Sequence, residues 1–393
     1  MLPSLLETNS ILATAYAVII YSMMLTAAFF LLKFQSISKG VTPFQNRYGS
    51  LDGFRGVLAV GVFVHHSFAA YGYFTHGRWE WSKSAILNHL GQTTVALFFM
   101  ITGFLFALKS MSLNIDWKAF FVSRIARLFP LYATVVCVLF FTVFLLSHGV
   151  LREPGWKILK ELIQWLTFVV FGRPNINALA DTYTLIAGVN WSLKYEVMFY
   201  VLCVPMLHFL SRIFSSRTML FMTVTLLSGL LSIRYFRGEE PGEILYATHF
   251  LCGIVIAYAY KEPRFLKLIQ SRPFRIAAGA SLLILFFLEN AYGCASILIT
   301  IAIFSAVVGG LSIWGLLNTR AALWLGDISY GIYLIHGLTL WLIYFALKSY
   351  GNLPGVGLLE YGALMVCVGV VVVALASLSY LKIEKPIMAL AKK

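Results

Sequence analysis

The sequence predicts an all-α, polytopic transmembrane helical bundle of about 11 spans, a core of about ten helices preceded by an N-terminal one. Three observations predict it. Of the 393 residues, 60% are hydrophobic and only 12% are charged, where a soluble domain carries about 25% charged residues. Mean hydropathy is +0.83. Apolar runs of about 20 residues recur along the chain, each enough to cross about 30 Å of hydrocarbon. No polar stretch between them is long enough to surface a water-soluble domain. Composition therefore excludes a soluble enzyme, a disordered tail and a disulfide scaffold.

The first run, near 11–32, stands apart. Residues 1–49 are expected to form an N-terminal helix and its loop, and 50–393 the membrane domain proper. Residues 1–10 contain neither Lys nor Arg, and the run is too long for a cleaved signal peptide. Further spans are expected near 56–75, 92–108, 129–147, 190–210, 218–233, 244–260, 276–290, 293–313, 327–347 and 358–381. The stretch 158–171 is shorter, carries Gln164, and reads as interfacial or re-entrant. There is no internal repeat.

With the N-terminus outside, one side receives Lys33, Lys39, Arg47, Arg55, Lys109, Lys118, Arg124 and Arg127. It also receives Arg212, Arg217, Lys261, Arg264, Lys267, Arg272, Arg275, Arg320, Lys382, Lys385, Lys392 and Lys393. This bias marks the cytoplasmic side, puts the C-terminus there, and explains a net charge of +14 without nucleic acid. The five cysteines lie inside apolar runs and form no CxxC pair. They read as small packing residues, and no metal site is expected.

Ionisable groups inside spans cost about 2.5–3.5 kcal/mol each at a helix centre, so each is a functional candidate. Arg55 and His66 are eleven positions apart, which returns to nearly the same helix face after a rise of about 16.5 Å. Arg55 then lies at the inner interface and His66 near the midplane; His65 points elsewhere. Arg124 and Arg127 are neighbours on one helix face and suit a phosphate or pyrophosphate by bidentate bonds, or lipid headgroups. Pro130 suits the opening turn of the next helix. Glu196, expected a turn or two below the outer surface, must be paired or protonated. Tyr330, Tyr333 and His336 recur at three-residue intervals and share one broad face, with His336 near the midplane. His208, His249 and Glu289 are weaker candidates.

In this order the stretches resemble the integral-membrane acyltransferases called acyltransferase family 3. The matching segments are Leu51 to Gly56 with Arg55 and His66, and the phenylalanine-rich Phe98 to Phe104, where Thr102 replaces the family's serine. They continue with Arg124, Arg127 and Pro130, then Trp191, Ser192, Leu193, Glu196, Phe199 and Tyr200, then Leu325 through His336, and finally Ile383 to Pro386.

The resemblance implies transfer of an acyl group, usually acetyl, from cytoplasmic acetyl-CoA or another acyl-CoA to a hydroxyl. The acceptor would be a glycan, a lipid-linked sugar or a small hydroxylated molecule of the cell envelope, met at the inner membrane of a bacterium among membrane lipids. Arg55, Arg124 and Arg127 would bind the CoA phosphates. His66, with a reference pKa near 6.5, would be the base or an acyl-carrying nucleophile. Glu196 would assist it, and Thr102 would serve the oxyanion. Trp191, Ser192, Tyr330, Tyr333 and His336 fall to the acceptor. Longer family members carry an extracytoplasmic hydrolase-like domain, so in this chain transfer is expected to finish in the membrane domain or on a separate protein. The alternative is a transporter or flippase for an envelope precursor, with the histidines and Glu196 as a proton relay. Such proteins often show internal symmetry, which is not found. An intramembrane metalloprotease lacks its HExxH.

Overall fold

Helix is the regular structure of the described residues. The computed structural model describes residues 9–34, 50–80, 82–237, 242–351 and 357–391. Lys39, Arg47, Lys392, Lys393 and the first eight residues lie outside them. Helix α1 (Ser10–Leu31) is capped by Asn9, whose side-chain oxygen accepts from the N–H groups of Ile11 and Leu12 at 3.0 and 3.1 Å. Helix α2 (Leu51–His76) ends at Gly77, whose φ of 74° favours glycine. Helices α3 (Ala85–Ser110) and α4 (Trp117–Leu146) follow, and Asp116 caps α4 by accepting from the Ala119 N–H at 2.9 Å.

Beyond the short α5 (Gly155–Leu166) come α6 (Trp191–Ile213), α7 (Ser216–Arg237), α8 (Glu243–Ala259) and α9 (Pro263–Gln270). Helices α10 (Arg272–Leu285), α11 (Cys294–Val308), α12 (Arg320–Asp327), α13 (Ser329–Ser349) and α14 (Leu358–Leu390) complete the order. Two wide π turns interrupt long helices, Phe199–Cys203 in α6 and Tyr380–Glu384 in α14.

The chain is an all-α, multi-pass helical protein, with fewer full spans than the sequence suggested. Eight helices among the described residues are long and apolar enough to cross a membrane, or nine if α8 and α9, bent by 107°, are one span. The expected spans 276–290 and 293–313 correspond to α10 and α11, of 14 and 15 residues. Each rises about 21–23 Å, short of about 30 Å of hydrocarbon. The apolar run between them is broken at Asn290, whose side chain accepts from the Tyr292 N–H at 2.9 Å. A second correction concerns Pro130. Helix α4 begins at Trp117 and runs through the proline, so Pro130 lies inside the helix rather than in its opening turn, and Arg124 and Arg127 share that same helix.

Close backbone approach sets the core. A side chain at Gly103 on α3 would run into the carbonyl of Phe250, and one at Gly253 on α8 into that of Met100. Reciprocal glycines of this kind let two membrane helices meet without a hydrophobic drive between them. Helix α1 packs on the bundle through Tyr16, whose hydroxyl lies 3.1 Å from Ser67 Oγ and whose ring stacks on Tyr361.

The stretch 158–171 falls largely on α5, which at 12 residues rises only about 18 Å and is too short to cross. Between Leu166 and Trp191 the only regular piece is a short 3-10 helix, Thr182–Ile186, and φ is positive at Phe168, Val169, Asn177, Ala178, Asp181 and Ala187. Much of this segment is buried, including Ile176, Asn177, Thr182, Ile186, Val189 and Asn190. Irregular backbone inside a membrane bundle needs internal partners, and several are visible. Asn177 donates to Ser147 Oγ and the Val150 carbonyl at 3.0 and 2.9 Å, and its own N–H donates to Glu161 at 3.0 Å. Tyr132 and Trp165 donate to the carbonyls of Trp165 and Pro174.

Candidate active site

The arginine of α2 points into a cavity of about 720 Å³ that opens near the end of the bundle where α2, α4 and α13 begin. Its walls come from α2, α3, α4, α6, α13 and the last turns of α14. Eight of the residues singled out from sequence line it: Arg55, Thr102, Arg124, Arg127, Ser192, Glu196, Tyr330 and Tyr333. Phe98, Phe99 and Phe106 supply apolar wall, and its size is within the roughly 300–1,000 Å³ of small-molecule sites.

The cations are held differently from one another. Arg55 lies 3.9 Å from Asp52, one turn earlier on α2. Arg124 donates through Nε to Ser123 Oγ at 3.3 Å and sits over the Phe106 ring. Arg127 is committed to the protein. One Nη donates to Glu384 at 3.0 Å, the other to the Asp327 carbonyl at 3.2 Å, and Glu384 is fully buried. The guanidinium lies between the rings of Tyr330 and Tyr380.

Glu196 accepts a short hydrogen bond from the Tyr200 hydroxyl, and both face the cavity. It therefore shares a cavity with Arg55 and Arg124, which were expected at the inner interface, although Glu196 was expected near the outer surface. The Tyr333 hydroxyl and Ser192 Oγ are 2.7 Å apart, and Tyr333 also donates to the Val189 carbonyl at 2.9 Å. Tyr330 donates to the Leu128 carbonyl at 2.7 Å.

His66 and His336 do not line the cavity; they pair behind it. His66 Nδ1 is 2.9 Å from His336 Nε2, and the rings are stacked with centroids 5.0 Å apart. His336 Nδ1 is 2.8 Å from the Ile332 carbonyl, which only accepts. His336 therefore carries its proton on Nδ1, its Nε2 accepts from His66 Nδ1–H, and a lone pair is left on His66 Nε2. Tyr333 stands between cavity and pair, its ring 6.3 Å from that of His336. On the other side His66 meets the ring of Trp79 at 6.0 Å. His65 instead holds the Leu87 carbonyl at 2.8 Å.

Trp191 also falls outside the cavity lining and packs against Phe99, Tyr195 and Tyr246. His208 and His249 are spent on the carbonyls of Ser110 and Leu245. Among the described residues, no group of three His, Cys, Asp or Glu side chains is placed to hold a metal.

Sequence reasoning missed parts of the wall. Lys385, Tyr380, Met388 and Ala389 reach the cavity from the end of α14, and Asp327 and Ser123 line it as well. Tyr200 also lines it, and its place four residues after Glu196 on a helix signals their contact.

Fold and site together define a multi-pass membrane protein with a basic, aromatic-walled cavity at one end and an imidazole pair behind it. The chain belongs to the acyltransferase family whose domain model matches residues 48–381. It is 26% identical over 372 residues to the provisionally named peptidoglycan O-acetyltransferase YrhL of Bacillus subtilis (strain 168), covering 86% of this chain and 54% of that protein. Identity to the peptidoglycan O-acetyltransferase OatA of Listeria monocytogenes is 24% over 335 residues, covering 76% and 50%. Identity to the acyltransferase MdmB of Streptomyces mycarofaciens is 25% over 389 residues, covering 88% and 92%. The chain thus spans about half the length of the two peptidoglycan O-acetyltransferases and most of MdmB. No solved structure matches.

Proposed function

We propose that this chain is a membrane O-acyltransferase that moves an acyl group, acetyl by preference, from cytoplasmic acyl-CoA to a hydroxyl of a glycan or related acceptor. The single observation that carries this reading is the cavity. It joins Arg55 and Arg124 to an aromatic wall and ends at Tyr333, directly before the His66–His336 pair. A phosphate-bearing thioester suits it, with phosphates at the basic mouth and the acyl end directed to Tyr333. The positive-inside bias supports a mouth on the cytoplasmic side of a bacterial inner membrane, with the C-terminus on that side. The name of the Listeria relative supports a glycan acceptor.

In the proposed reaction, His66 Nε2 takes the proton of the acceptor hydroxyl as its oxygen attacks the thioester carbonyl. A C–O bond forms, the C–S bond breaks, and the CoA thiolate leaves and recovers that proton from the imidazolium. His336 fixes the His66 ring and its tautomer and stabilises the imidazolium through Nε2. Thr102, on the cavity wall, donates to the oxyanion in this scheme. Glu196, held by Tyr200, and Ser192, held by Tyr333, shape the wall beside the acyl group. Tyr333 must swing aside for the thioester to reach His66. Trp191 acts from behind Phe99 as a packing partner of the wall.

The test is to incubate the detergent-purified chain with labelled acetyl-CoA and a hydroxyl-bearing glycan. Thiol release matched by label on the glycan is expected. Absence of CoA binding would overturn the donor assignment, and glycan movement across vesicles without thiol release would favour a transporter.

A further inference from the structure

The cavity lining carries four cations, Arg55, Arg124, Arg127 and Lys385, against two carboxylates, Glu196 and Asp327. Arg127 is bound on both Nη atoms by protein groups, one of them the buried carboxylate of Glu384. The charge of Arg127 is thus already balanced by a buried carboxylate, and losing that contact would leave Glu384 buried without its partner. We infer that Lys385 is a phosphate-binding residue of the donor site, acting with Arg124, while Arg127 is a strut that seats the end of α14. The inference rests on the acyl-CoA reading above.

Local geometry explains why neighbouring residues take opposite roles. The π turn Tyr380–Glu384 widens α14 just before Lys385 and shifts its register. Glu384 is thereby turned inwards onto Arg127, whereas Lys385 reaches the cavity with Met388 and Ala389. Lysine is a compact point charge on a flexible stem and suits a phosphate that moves in and out of a mouth. Arg124, stacked on Phe106, offers the rigid fork. The ligand this pair fits is a nucleotide with phosphates at two positions of its ribose, as CoA has in its 5′-pyrophosphate and 3′-phosphate.

The test compares binding of CoA and 3′-dephospho-CoA to the full chain in detergent, for wild type, Lys385→Gln and Lys385→Arg. Lys385→Gln is expected to weaken CoA binding about tenfold, and Lys385→Arg to stay near wild type. In turnover, Lys385→Gln raises KM for acetyl-CoA and leaves kcat at saturating donor within about twofold. A narrower gap between CoA and dephospho-CoA in Lys385→Gln would assign Lys385 to the 3′-phosphate; an unchanged gap alongside weaker binding assigns it to the pyrophosphate. Wild-type affinity in Lys385→Gln overturns the inference while the donor reading stands. Equal losses in Lys385→Gln and Lys385→Arg also overturn it, since the charge would not be what matters. A wild-type chain that binds neither nucleotide overturns the donor reading itself.

Discussion

At the scale of the residue, few ionisable groups enter the bundle, and each has a readable use. Arg127 and Glu384 form a buried pair at 3.0 Å. Removing one partner of such a pair typically costs about 3–5 kcal/mol, because the other charge stays buried. Arg127→Ala is therefore expected to destabilise the protein by about that much in thermal or denaturant unfolding. Arg127→Met combined with Glu384→Leu should cost far less than the two single changes together. If Arg127→Ala unfolds like wild type and loses only CoA affinity, the strut assignment is wrong. Much of the site was legible at this scale because charge is rare in membrane helices, so Arg55, His66, Arg124 and Glu196 stood out. Lys385 did not. A basic residue near a terminus is indistinguishable from an orientation signal until the π turn aims it at the cavity.

At the scale of the element, apolar runs located the helices but not their ends. Helix α4 shows why: an Asp116 cap and amphipathic turns carry the helix well before the apolar run that begins near Pro130. The span expected near 190–210 corresponds to α6, whose Glu196 shares the cavity with Arg55 and Arg124. The largely buried 167–190 segment before it, with only a short 3-10 turn at Thr182–Ile186, has no periodicity to read. Its partners, such as Asn177 with Ser147 and Glu161, are set by tertiary structure alone. Glycine spacing gives an element-scale prediction. Gly103→Ala forces α3 off the Phe250 carbonyl, whereas Gly229 on α7 has nothing within 4 Å of an added Cβ. Gly103→Ala should cost about 1–3 kcal/mol through overpacking, and Gly229→Ala should stabilise by up to about 1 kcal/mol. The check is the shift of the unfolding midpoint in detergent; equal shifts of one sign would refute the close α3–α8 packing.

At the scale of the molecule, the bundle separates two kinds of chemistry. One end offers positive charge and aromatic surface within a cavity of about 720 Å³. Behind it, two imidazoles are ordered by a backbone carbonyl so that one nitrogen lone pair remains on His66. Tyr333, hydrogen-bonded to Ser192 and the Val189 carbonyl, divides the two. On the proposed reading, an acyl-CoA held in the cavity and a base behind a hydroxyl-bearing partition would together carry out the transfer. The central claim is that His66 takes the proton in that step. It is tested most directly by acceptor-dependent thiol release from acetyl-CoA by purified His66→Ala, with CoA binding measured on the same sample. The account predicts wild-type CoA binding with turnover lowered about 10²–10⁴-fold. Turnover at the wild-type rate in His66→Ala would contradict it.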